Sequence, residues 1–321
     1  MPPPNPLAPY LEHQGFLVID GGLATELEAR GYDLRDPLWS ARVLLESPAA
    51  IRQVHLDYLR AGADCLITAG YQATPQGLRA RGLSETQINA CLRLTVQLAE
   101  EARAQFLAES PATGRLRPLI AAGIGPYGAY LANGAEYTGA YDLSVAELMD
   151  FHRQRWEVLA DSSADILACE TIPSLAEAQA LAQLLAQTPD RVAWFSFSCR
   201  NETQISDGTR LADGLAWLEA FPQVVAVGVN CTPPRLIPGL IAAARQATTR
   251  PILVYPNSGE IYAAVEQTWR GERDSAEFGQ AAQTWYAAGA TLIGGCCRTG
   301  PAHIAGVRAA LTKLSTARMR A

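Results

Sequence analysis

Short apolar runs, almost free of charge, recur along the chain at 16–19, 64–68, 118–122, 165–169, 192–197, 224–229, 251–255 and 290–294. They are continuous where a half-exposed strand would alternate, the pattern of strands buried on both faces. The stretches between them carry helix signals. The clearest predicts a helix over Glu85–Glu109, opened by a Ser84 cap and closed before Pro111. Ser144 and Ser174 each precede a Glu-bearing first turn, and Pro48, Pro234 and Pro301 stand where a helix start tolerates proline. Eight strand–helix units in one chain predict an α/β fold, a (β/α)8 TIM barrel. Residues 1–321 are expected to form one domain with frayed ends. An open doubly wound sheet is the competing architecture, but no Gly-x-Gly-x-x-Gly follows the first run.

Polar residues gather where the apolar runs stop, at the rim where a barrel of this class places its chemistry. Asp20-Gly21-Gly22 follows the first run, Thr68 the second, and Gly123-Ile124-Gly125-Pro126 the third. Glu170-Thr171, Ser198, Asn230-Cys231, Tyr255-Pro256-Asn257 and Cys296-Cys297 continue the ring. A turn or cap explains any one of these groups; it does not explain the ring. Two longer insertions, 123–141 and 257–273, also follow strand ends and are expected to fold over the rim.

Cys231, Cys296 and Cys297 change the picture most. Three thiolates meeting from two strand ends make an open zinc site whose fourth position is free for a substrate, and a soft substrate for it is another thiol. The spacing is not that of a zinc finger, and a small buried pair beside two glycines is the alternative. Neighbouring residues in a strand point to opposite sides, so both cysteines turn inward only if the strand ends or bulges at Gly294-Gly295. Cys65, Cys91, Cys169 and Cys199 lie in apolar or helical patterns and read as buried filler, with Cys169 and Cys199 close enough to strand ends to be kept in reserve.

Composition narrows the partners. The 321 residues are 49% hydrophobic and 18% charged, enough for a large core, and the net charge of −6 argues against a nucleic-acid surface. Seven cysteines, an odd number, argue against a disulfide framework. No apolar run approaches the ~18 residues of a membrane span and no signal-peptide pattern opens the chain, so the expectation is a cytoplasmic protein without membrane contact. Oligomeric state is not legible.

Several longer stretches together resemble the homocysteine S-methyltransferase family. They run from Asp20-Gly21-Gly22-Leu23-Ala24-Thr25-Glu26-Leu27 and Leu38-Trp39-Ser40 through Tyr71-Gln72-Ala73-Thr74-Pro75 and Gly125-Pro126-Tyr127-Gly128-Ala129-Tyr130-Leu131. They continue through Ala168-Cys169-Glu170-Thr171, Ser206-Asp207-Gly208-Thr209, Val229-Asn230-Cys231 and Tyr255-Pro256-Asn257-Ser258-Gly259 to Gly294-Gly295-Cys296-Cys297-Arg298-Thr299. One departure is Gly70, where relatives commonly carry serine.

The resemblance implies zinc held by Cys231, Cys296 and Cys297, and transfer of a methyl group from a sulfonium to the zinc-held thiolate of L-homocysteine, giving methionine. It implies Glu170 at the homocysteine ammonium, aided by groups near Asp20, Gly21 and Thr68, with Asn230 and Asn257 in the supporting polar shell. The implied donor is S-methylmethionine, with S-adenosylmethionine poorer and betaine more distant. Tyr127, Tyr130, Tyr137, Tyr141 and Trp39 are candidate donor contacts. A selenocysteine or other thiol acceptor, or a non-catalytic zinc or redox sensor, are the alternatives.

Overall fold

The computed structural model describes residues 3–34, 36, 38, 40–109, 114–263, 268–270 and 274–319. Trp39 lies outside the described residues. Each predicted apolar run forms a strand: β1 (Leu17–Val18), β2 (Cys65–Ile67), β3 (Leu119–Ile124), β4 (Ile166–Ile172), β5 (Ala193–Phe197), β6 (Val224–Asn230) and β7 (Ile252–Tyr255). Two short strands not foreseen, β8 (Ile261–Ala263) and β9 (Thr268–Arg270), pair antiparallel within the 257–273 insertion. The final strand is β10 (Ala290–Ile293).

Apart from the β8–β9 hairpin, all strands run parallel in the order β1-β10-β7-β6-β5-β4-β3-β2. The ring closes between β1 and β2, where Ile19 bridges Cys65 and the Asp20 N–H donates to the Cys65 carbonyl at 3.0 Å. With helices outside, this is a (β/α)8 barrel. Alternate residues explain the unbroken apolar runs. Leu17, Cys65, Ala121, Ile166, Trp194 and Leu253 fill the barrel interior, while Val18, Leu66, Ile120, Leu167, Phe195 and Val254 face the layer beneath the helices. Cys169 and Cys199, held in reserve from the sequence, belong to that outer layer with Cys91, and Cys65 to the interior.

The helix signals act as expected. Ser144 and Glu147 form a reciprocal capping box, and the Ser174 hydroxyl accepts the Glu177 N–H at 3.2 Å. Where the sequence predicts a frayed start, Ala8–Gln14 is helical and Leu7 and Tyr10 are buried against the barrel interior. The Tyr10 hydroxyl donates to the Arg117 carbonyl at 2.5 Å. This segment plugs the end of the barrel opposite the polar rim, so burial of two side chains overrides a proline-rich composition. At the other end of the chain, Pro301–Met319 is one helix.

Candidate active site

Three turns at the rim bring the cysteines together. β6 ends at Asn230, and Cys231 takes a left-handed backbone with φ 48°. β10 ends at Ile293, and Gly294-Gly295 carries the chain onward until Arg298 turns it with φ 66°. These glycines are required by space, not by unusual backbone angles. A Cβ on Gly294 would lie 2.7 Å from Ile19 Cβ, one on Gly295 would collide with the Thr299 hydroxyl, and one on Gly22 would lie 2.6 Å from the Cys296 carbonyl. Because the strand has already ended, Cys296 and Cys297 escape strand alternation. The Sγ atoms of Cys231, Cys296 and Cys297 all lie within 4.8 Å of one another, with Cys231 and Cys297 at 3.5 Å. Tetrahedral zinc with Zn–S near 2.3 Å needs sulfurs about 3.8 Å apart, so the donor set fits in both chemistry and size. Hydrogen bonds from Cys231 and Cys296 hold the Cys297 thiol well below its ordinary range.

Next to the sulfurs sit two buried carboxyls. Glu170 is pushed up to about 8 by burial and then by Cys297. Asp20 is raised by burial, with Glu170 adding to it, and accepts the Ile67 N–H at 3.0 Å. Two desolvated carboxylates side by side favour a bound cation. Asn230 shapes this corner. Its Oδ1 accepts the Thr171 N–H and its Nδ2 donates to Thr171 Oγ1, both at 2.7 Å, fixing the left-handed Thr171 (φ 57°) that follows Glu170. Thr68 accepts the Gly123 N–H at 3.1 Å, and Gly21 lets Tyr58 approach. Asn257 is buried, with Oδ1 lacking a hydrogen-bond partner among the described residues.

The 123–141 insertion does cover the rim. It folds as a helix, Tyr127–Leu131, and a 3-10 turn, Ala135–Tyr137. The Tyr137 hydroxyl stands 3.1 Å from Cys231 Sγ.

The sequence pattern of the homocysteine S-methyltransferase family matches residues 17–311. The chain belongs to that family. It is 49% identical over 313 residues to homocysteine S-methyltransferase YbgG of Bacillus subtilis (strain 168), spanning 97% of this chain and 99% of that protein. It is 52% identical over 306 residues to homocysteine S-methyltransferase of Escherichia coli (strain K12), spanning 95% and 98%. Crystal structures of the Escherichia coli homocysteine methyltransferase MmuM in oxidized and metallated forms superpose with TM-scores of 0.87 and 0.85. Each is 50% identical, over 95% of this chain and 99% of that chain.

Within this methyltransferase barrel the tyrosines divide. Tyr127 and Tyr130 pack on Phe151 with ring centroids 4.9 and 5.5 Å away, Tyr141 packs on Tyr127 at 5.2 Å, and the Tyr141 hydroxyl is spent on Glu177. Of the four candidate donor contacts among the described residues, Tyr137 is the one whose hydroxyl meets a site cysteine. Two site-facing groups escaped the sequence reading of roles. Tyr71 packs on Gly125 and feels the charges of Glu136 and Cys231. Glu136 is buried within the 3-10 turn of the insertion itself. Both come from loops, where no periodicity marks an inward-facing side chain.

Proposed function

We propose that this barrel transfers a methyl group from a sulfonium, S-methylmethionine in preference to S-adenosylmethionine, to the sulfur of L-homocysteine, with zinc held by Cys231, Cys296 and Cys297. The convergence of those three sulfurs at the rim supports the reading most directly. Zinc there would supply the acid that converts a thiol of pKa about 8.5 into a thiolate at neutral pH. The other work falls to the chain. Glu170 and Asp20 would accept the acceptor's ammonium, which satisfies two carboxyls that otherwise resist ionisation. Asn230 would hold the Glu170 turn. Tyr137 and Tyr71 would wall the donor side and exclude water. A positively charged donor meeting an anionic acceptor loses charge in the transition state, so a dry site favours the step.

The test is methionine formation from homocysteine with S-methylmethionine, S-adenosylmethionine or betaine, using reduced zinc-loaded protein. Turnover is expected with S-methylmethionine and more slowly with S-adenosylmethionine. No turnover with any of the three, in protein carrying stoichiometric zinc, would reject homocysteine as the acceptor and turn attention to another thiol.

A further inference from the structure

Glu136 is a carboxylate for which the acceptor leaves no task. It sits in the Ala135–Tyr137 turn, 7% exposed, and its Oε2 is fully buried with no hydrogen-bond partner among the described residues. The turn is held from two sides. Ser198 Oγ donates to the Glu136 carbonyl at 2.8 Å and is itself bonded to Ser206 Oγ at 2.8 Å. Gly128 packs so closely on Ala135 that a Cβ would lie 2.6 Å from its carbonyl carbon. The backbone that carries the Glu136 side chain is therefore fixed. Tyr137, the next residue, touches Cys231, and Glu136 is near enough to Cys297 and Tyr71 to interact with both electrostatically.

A buried carboxylate oxygen without a donor is costly unless a cation arrives. The reaction proposed above brings two cationic groups, the acceptor's ammonium and the donor's sulfonium. Glu170 and Asp20 already form a pair suited to the first, on β4 and at the end of β1. We infer that Glu136 forms the anionic wall of the methyl-donor subsite and selects a positively charged donor. This inference rests on the reading of the barrel as a sulfonium-dependent methyltransferase. In the step itself the donor C–S bond breaks with its electron pair left on the donor sulfur, which becomes a neutral thioether. The acceptor thiolate forms the new S–C bond.

The charge balance sets the kinetic signature. Glu136 meets full positive charge in the bound donor and less in the transition state, so it strengthens donor binding more than it speeds transfer. In Glu136→Gln, which keeps the shape and removes the charge, KM for S-methylmethionine should rise about thirtyfold or more, with kcat changed little. The dissociation constant of homocysteine, measured by calorimetry, should stay within about twofold of the parent. Iodomethane, a neutral methylating agent, supplies the internal control. The ratio of kcat/KM for S-methylmethionine to kcat/KM for iodomethane should fall by about the same factor, and Glu136→Asp should restore part of it.

An unchanged donor KM overturns the inference. So does an equal loss with both methylating agents, which marks a structural role, or a shift confined to homocysteine affinity, which places Glu136 at the acceptor. Failure of the parent protein to use any sulfonium would instead reject the underlying function, a result visible before any variant is made.

Discussion

At the scale of single residues, the site separates groups that would hold the metal from groups that would hold the acceptor. Cys231→Ser, Cys296→Ser and Cys297→Ser should each lose stoichiometric zinc and reduce activity by at least about a hundredfold, since even the partners of metal ligands are worth 10–100-fold. Zinc content and turnover on the same preparation, with circular dichroism to confirm the barrel, check this. Full metal and full turnover in all three would remove the cysteines from the site. Glu170→Ala should keep zinc and weaken homocysteine binding by roughly thirtyfold or more. Unchanged homocysteine saturation would remove Glu170 from the acceptor site. The cysteines were legible because polar residues follow abruptly on apolar runs. The reason they can share one side was only half legible, because the crowding at Gly22 and Gly294 depends on β1 and β10 being neighbours.

At the scale of elements, the eight strands were legible because two-sided burial writes itself as an unbroken apolar run. That the 123–141 insertion would lie over the rim was legible too, but its form was not, since that depends on a buried polar network made by helices on either side. Glu177 Oε1 accepts the Tyr127 N–H at 2.6 Å and faces His152 Nε2 at 2.8 Å, while its other oxygen takes the Tyr141 hydroxyl. Arg155 donates to the Gly125 carbonyl at 2.5 Å and to His152 Nδ1 at 2.9 Å. With Nδ1 accepting, His152 carries its proton on Nε2 and donates to Glu177; burial, which lowers its pKa, keeps it neutral. One carboxylate thus ties both ends of the insertion to the helices beneath. Glu177→Gln should cost roughly 3 kcal/mol, because Arg155 loses the buried counter-charge. It should also expose 127–141 to protease. An unaltered urea midpoint together with an unaltered cleavage pattern would show that the insertion is held by its aromatic packing instead.

At the scale of the whole molecule, acid stability has a named contributor in the Pro48–Ala61 helix. His55 is wholly buried, both ring nitrogens lack partners among the described residues, and burial drives its pKa down from 6.5 to about 4. The unfolded chain takes up the proton first as pH falls, so this contribution is complete above about 6.5 and lost between there and about 4. The loss amounts to roughly 3 kcal/mol. His55→Leu should flatten that part of the stability curve, read from urea melts between pH 7 and pH 4; an unchanged slope would place the titration elsewhere. No helix among the described residues is long and apolar enough to cross a membrane. The closure of the ring also orders events during synthesis. Strand β1 pairs with β10, the last strand made, and Cys296 and Cys297 follow it. A ribosome therefore delivers Cys231 long before its two companions, and the nascent chain carries one of the three site thiols together with an unclosed sheet. An ion that those three sulfurs would hold could then be captured only once the barrel closes, and without it three thiols would crowd the mouth of an otherwise finished fold.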